Sequence, residues 1–221
     1  MKTNRMTAAL VGCAYLFSNV TFILGAIVML ETILGSPDFL SLIQASRAQL
    51  ILGVLLSFAN GLAYVAIAVL LFPLFKPRFE SLALAYVSFR VVEFITQILA
   101  DLSPLALLTL AGSASQTGAA QDLGALLLAQ RFWAFQMLNL IFSLSALLLY
   151  AMFLRSRLIP RFIAFWGLAA AALVLFNTVL GWFSPELGEP LGMVTGLPML
   201  LNEVFLGIWL ITRGFSPSVS V

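Results

Sequence analysis

Long apolar runs alternate with short polar breaks along the whole chain. The runs fall at 7–33, 48–74, 80–110, 124–153, 161–183 and 192–212, and each supplies the ~20 apolar residues that a bilayer core demands. The breaks are chemically distinct. "GSPDF" closes the first run, and "FPLFKPRFE" closes the second with Pro73 and Pro77, which predict an exit from the helix. "AGSASQTGAAQD", "RSRLIPR" and "SPELGEP" separate the remaining runs. The third run is over-long for one perpendicular crossing, which predicts a tilt or a bend near Pro104. Phe39, Leu40 and Ile43 form a short amphipathic stretch suited to the membrane interface. The expected fold is all-α: a polytopic bundle of six transmembrane helices, forming a single integral membrane domain over 1–221.

Composition agrees with that pattern. Hydrophobic residues make up 62% of the 221 positions and charged residues 9%, against roughly 25% charged in soluble domains. A net charge of +2 offers nothing to a nucleic-acid partner. Cys13 is the one cysteine, so no internal disulfide and no CxxC pair exist. Histidine is absent, which removes His-based zinc sites, histidine-ligated haem and imidazole triads. No cofactor and no metal are expected. At the N-terminus, Lys2 and Arg5 precede an apolar run reaching Leu34, beyond the roughly 7–15 residues of a signal-peptide core. It reads as a retained first span.

Basic residues set the expected orientation. Lys2, Arg5, Lys76, Arg78, Arg155, Arg157, Arg161 and Arg213 fall on one side of a six-span zigzag, and Arg47 alone falls on the other with Asp38, Asp122, Glu186 and Glu189. Both termini should therefore be cytoplasmic. Arg90 and Arg131 are left inside the spans.

Those two arginines carry the candidate chemistry. Tyr86, Arg90, Glu93, Gln97 and Asp101 are spaced four, three, four and four apart, one continuous stripe on a helix face. Arg90 lies about eleven residues into its span, near the middle of a ~30 Å core at ~1.5 Å rise per residue. A charge there costs ~2.5–3.5 kcal/mol on insertion scales, so the stripe must face other helices or a wet cavity. Asn19, Asn60, Gln136, Asn139, Asn202 and Glu203 fall at similar depth, and Arg131 is within reach of Asp101 as an outer ion pair. Arg90, Glu93, Gln97, Gln136, Asn139, Asn202, Glu203 and Asn60 form the candidate ligand or proton site. Two carboxylates for one arginine leave an acid in excess, expected to carry a proton. Gly53-xxx-Ser57-xxx-Gly61 and Gly167-xxx-Ala171 are small-residue faces suited to close helix packing.

"FRVVEFI", "RSRLIPRFIAFWG" and "LPMLLNEVFLGIWLITRGF" resemble segments of a bacterial multi-pass membrane family, domain of unknown function 4386. The weight rests on Arg90, Glu93, Pro160, Arg161, Pro198 and Glu203, over nearly the whole chain. The resemblance implies a multi-pass protein of the bacterial inner membrane and no assigned activity. Separately, Pro77-Arg78-Phe79 and Pro160-Arg161-Phe162 echo each other at two helix starts, as a duplicated hairpin would.

Three function classes stay open. One is a membrane protein whose buried pocket binds or moves a small molecule, a lipid group or protons. Another is an accessory subunit whose buried charges only fix helix packing. The third is an intramembrane lipid-modifying enzyme, for which the histidines, paired aspartates, Walker loop and dinucleotide fingerprint of known chemistries are missing. The expected partners are membrane lipid, a small-molecule ligand, and a membrane-protein partner or second copy of the chain.

Overall fold

The computed structural model describes residues 2–113 and 118–216, and every regular element among them is helical. Helix α1 (Lys2–Phe22) runs into a π-helical stretch, Ile23–Glu31, and a final turn α2 (Thr32–Leu34). A short α3 (Phe39–Ala45) precedes α4 (Arg47–Ser113), α5 (Gly118–Ser156), α6 (Arg161–Phe183) and α7 (Pro185–Thr212). Five helical stretches are long and apolar enough to cross a membrane, starting at Arg5, Arg47, Gly118, Arg161 and Pro185. Helix α4 carries two crossings, because Phe79 (φ −140°, ψ 44°) breaks it into two arms. Each arm exceeds the ~20 residues a bilayer needs. The chain is a multi-pass, all-α membrane protein, and the two arms of α4 are each long enough for a crossing of their own.

Several expected breaks are helical instead. Pro73 and Pro77 lie within the first arm of α4, and the turn comes at Phe79. Proline forfeits one backbone hydrogen bond, and a membrane helix tolerates that where neighbouring groups compensate. "SPELGEP" is almost wholly absorbed into α7, which starts at Pro185 and continues through Pro190 and Pro198. Proline suits the first helical turn, where its missing N–H has no partner to lose. The backbone also stays helical through Pro104. Of the expected "AGSASQTGAAQD" loop, residues 114–117 lie outside the described residues. The Phe39, Leu40 and Ile43 stretch is α3, with Ile43 buried beside Leu50 and Leu107.

Chain contacts define two compact units. The first comprises Met1–Asn19, Ala63–Glu93 and Asn139–Val221. Its core is built from Val11 and Tyr15 of α1, Ile67, Leu71, Phe75 and Tyr86 of α4, Tyr150 and Phe153 of α5, Ile163 of α6 and Leu206 of α7. The second comprises Val20–Leu62 and Phe94–Leu138, with Leu30, Ile33, Ile43, Leu50 and Leu107 at its centre. There the two arms of α4 run antiparallel. A Cβ on Gly61 would collide with the Phe94 ring, and the Ser57 hydroxyl accepts a hydrogen bond from Gln97. Gly53 admits Leu30, whose branched carbon would sit 2.8 Å from an added Cβ. The Gly53, Ser57, Gly61 face is thus used along its length for close approach.

Candidate functional site

The polar stripe of α4 points inward. Tyr86, Arg90, Glu93, Gln97 and Asp101 are all buried, while Val91, Val92, Ile95, Leu99 and Leu102 on the other faces are exposed. This is the partition that a bilayer imposes on a helix carrying ionisable groups, since charge facing lipid has no compensating partner.

In the first unit, Arg90 and Glu93 form a closed pair. Arg90 Nη1 lies 3.0 Å from both Glu93 oxygens, and Arg90 Nε donates to the Tyr86 hydroxyl at 3.3 Å. The rings of Tyr64, Tyr86 and Phe142 surround the guanidinium at 5.5, 5.4 and 5.4 Å, a distance range in which a ring face attracts a cation. Ser145 on α5 donates to Glu93 Oε2 at 3.4 Å. Both charges are 2% exposed. Geometry of this quality is what a buried ion pair needs to offset its desolvation.

Glu203 on α7 is differently placed. It is only half-buried, and its Oε2 accepts one long hydrogen bond, 3.4 Å, from Asn19 Nδ2 on α1. Asn19 also donates to the Tyr15 carbonyl at 2.9 Å. The two helices approach this closely because glycines face each other below the contact: a Cβ on Gly12 would lie 2.5 Å from the Gly207 carbonyl oxygen. The Tyr15 hydroxyl is buried and, among the described residues, has no hydrogen-bond partner. Glu203 is within electrostatic reach of Arg90, Tyr15 and Tyr150.

Asn202, the neighbour of Glu203, is committed to structure. Its Oδ1 accepts from the Tyr150 hydroxyl at 2.5 Å and its Nδ2 donates to the Ile163 carbonyl at 3.1 Å. Tyr150 reaches it across Gly167, where any Cβ would strike the tyrosine ring. Asn139 supplies its carbonyl to Ser143 at 2.7 Å.

The chain has four tyrosines, and Tyr15, Tyr64, Tyr86 and Tyr150 are all buried around this one cluster. Sequence reasoning placed only Tyr86 there. The signal was legible: tyrosine in membrane proteins favours the interfaces, and none of these four flanks a polar break.

Asn60, Gln97 and Gln136 of the expected site belong to the second unit. Gln97 donates to the Ser57 hydroxyl and to Asp101 Oδ2, the latter at 3.4 Å. The expected Asp101–Arg131 ion pair is not formed. Arg131 Nη1 pairs instead with Glu31 Oε1 at 3.3 Å, and Asp101 acts on Arg131 only at longer range. Glu31 escaped the sequence reading because it ends the π-helical stretch, where wider turns move each residue off the face that a 3.6-residue repeat assigns. Among the described residues no group of three or more His, Cys, Asp or Glu side chains gathers to hold a metal ion.

The family model described as Domain of unknown function (DUF4386) matches residues 10–214. The chain belongs to this family. The match takes in every residue of both buried charge clusters. No curated protein and no solved structure matches the chain. The family description assigns no reaction, so the chemistry has to be argued from the residues.

Proposed function

We infer that this membrane protein works through a buried binding site whose active carboxylate is Glu203, taking up a proton or, in its place, a small cationic group. Arg90 and Glu93 cancel each other within one closed pair, so Glu203 is the acid left over. The observation that carries the reading is its placement: half-buried and, among the described residues, held by a single long hydrogen bond from Asn19, while both members of the pair are sealed. The unpartnered Tyr15 hydroxyl and the Asn19 amide supply hydrogen bonds to whatever occupies the site. Movement of the bound group across the membrane is the natural use of such a carboxylate.

The Arg90–Glu93 pair supports the second reading, polar glue, for that part of the cluster. Its enclosure by Tyr64, Tyr86 and Phe142 suits a lock on helix register more than a group that exchanges ligands. By the basic-residue count, both termini face the cytoplasm of a bacterial inner membrane.

Infrared difference spectroscopy across a pH titration of the detergent-solubilised protein tests the reading. A protonated carboxyl C=O band should appear in the wild type and vanish in Glu203→Gln. An unchanged band in that variant assigns the proton elsewhere and removes Glu203 from the function.

A further inference from the structure

The second unit holds a buried cation whose hydrogen-bonding capacity is mostly unused. Arg131 is 5% exposed, yet among the described residues its Nε and Nη2 have no hydrogen-bond partner. Nε–H and Nη2–H lie on one edge of the guanidinium as two parallel donors, the fork that fits two oxygens of a carboxylate or phosphate. The Phe135 ring packs 4.6 Å from the guanidinium carbon and so fixes the plane in which the fork points. An unfilled buried donor costs about 1–3 kcal/mol. Asp101 acts on Arg131 electrostatically, and among the described residues its Oδ1 is also buried without a hydrogen-bond partner. A single group that completes both would offer two acceptors to the fork and one donor to Asp101.

Glu31 stands beside the site as the chain's own carboxylate. It touches only Nη1, at 3.3 Å, and its side chain is 57% exposed. It is carried on the last residue of the π-helical stretch, a helix form that is rare and frequent at functional sites. Gln49 on α4 braces that stretch from outside, donating to the Met29 carbonyl at 3.1 Å and the Thr32 hydroxyl at 3.0 Å. A weakly held, exposed carboxylate at the end of such a segment is a displaceable cover.

We propose that Arg131, Asp101 and Glu31 form a second binding site, specific for a phosphate group that retains a P–OH, as a monoester or inorganic phosphate does. Two phosphate oxygens occupy the Nε–Nη2 fork, the remaining P–OH donates to Asp101 Oδ1, and Glu31 swings away. The same chemistry is offered by a lipid phosphate monoester and by dissolved inorganic phosphate. A phosphodiester lacks the hydroxyl and leaves Asp101 unpaired. This site does not depend on Glu203.

The test is thermal unfolding of the full chain in detergent with three probes: dioleoyl phosphatidate, inorganic phosphate, and dioleoyl phosphatidylcholine as the diester control. Phosphatidate, inorganic phosphate or both should raise the midpoint through preferential binding to the folded state, and phosphatidylcholine should not. A response to phosphatidate alone identifies a membrane-borne ligand, and a response to inorganic phosphate alone a dissolved one. Glu31→Gln removes the internal competitor and should bind the active probe about tenfold tighter. Arg131→Lys keeps the charge without the fork and should bind about tenfold weaker. If Arg131→Lys does not fold, Glu31→Gln alone decides. No midpoint shift with either phosphatidate or inorganic phosphate in Glu31→Gln overturns the proposal, as does an equal response to phosphatidylcholine or an undiminished response in Arg131→Lys.

Discussion

Asn19 and Glu203, 184 positions apart in sequence, meet where α1 and α7 approach each other, with the asparagine amide donating to the carboxylate at 3.4 Å. The contact exists because Gly12 and Gly207 let the two backbones come together. Small residues at helix contacts are the usual means of close approach in membranes, where no hydrophobic force drives helices together. The Gly12→Ala variant should push α1 from α7 and lower stability by about 1–3 kcal/mol. Thermal unfolding in detergent measures the loss, and the carboxyl C=O band assigned to Glu203 should shift in frequency. A shift in stability with an unmoved band would separate packing from the site.

The Arg90–Glu93 pair makes a different prediction. Removing one partner, as in Arg90→Ala or Glu93→Ala, strands a charge in a sealed interior and should cost about 3–5 kcal/mol. The double variant Arg90→Ala/Glu93→Ala strands none, so its loss should be smaller than the sum of the two single losses. Chemical denaturation of the three variants in one detergent gives the coupling directly. Additive losses would mean that the two groups do not hold each other.

Tyr150 and Gly167 offer a graded pair. The Tyr150→Phe change deletes only the hydrogen bond to Asn202 and should cost about 0.5–1.5 kcal/mol. The Gly167→Ala change drives a methyl into the ring and should cost more, about 1–3 kcal/mol. In the double variant Gly167→Ala/Tyr150→Ala the clash has no target, so adding the methyl should then have almost no further effect. Thermal midpoints of the wild type, Tyr150→Phe, Gly167→Ala, Tyr150→Ala and the double variant check the order, with Tyr150→Ala as the reference for the double variant.

Orientation can be read by labelling. In a Cys13→Ala background, Asp38→Cys places a single thiol just before α3 and Arg78→Cys places one at the end of the first arm of α4, breaks that the basic-residue count assigns to opposite sides. With both termini cytoplasmic, a membrane-impermeant maleimide added to intact cells should label Asp38→Cys and leave Arg78→Cys unmodified until the cells are opened. The reverse pattern would invert the assignment.

Much of this molecule was legible in the chain. The apolar runs became long apolar helices, because backbone hydrogen bonds cannot be left open in lipid and a helix closes them within a single segment. The inward direction of Tyr86, Arg90, Glu93, Gln97 and Asp101 followed from helical spacing and the cost of charge facing acyl chains. The breaks were less legible. Pro73, Pro77 and Pro190 read as stops, yet each sits inside a helix. Local sequence states the penalty of a proline but not the neighbours that absorb it.

Identity and periodicity along one helix therefore determined which side chains turn away from lipid, and that two acids were present for one arginine near the centre of the bilayer. That Glu93 closes on Arg90 while Glu203 meets Asn19 of α1 was decided by tertiary packing. Glu93 lies one turn away on the same helix, at 3.0 Å, whereas Glu203 is brought near by two glycines on different helices. Arg131 makes the same point. Its partner depended on a π-helical stretch whose widened turns no 3.6-residue pattern reveals, so it found Glu31 and not Asp101. Spacing within a helix is a property of covalent geometry, whereas a contact between helices depends on how closely their backbones pack.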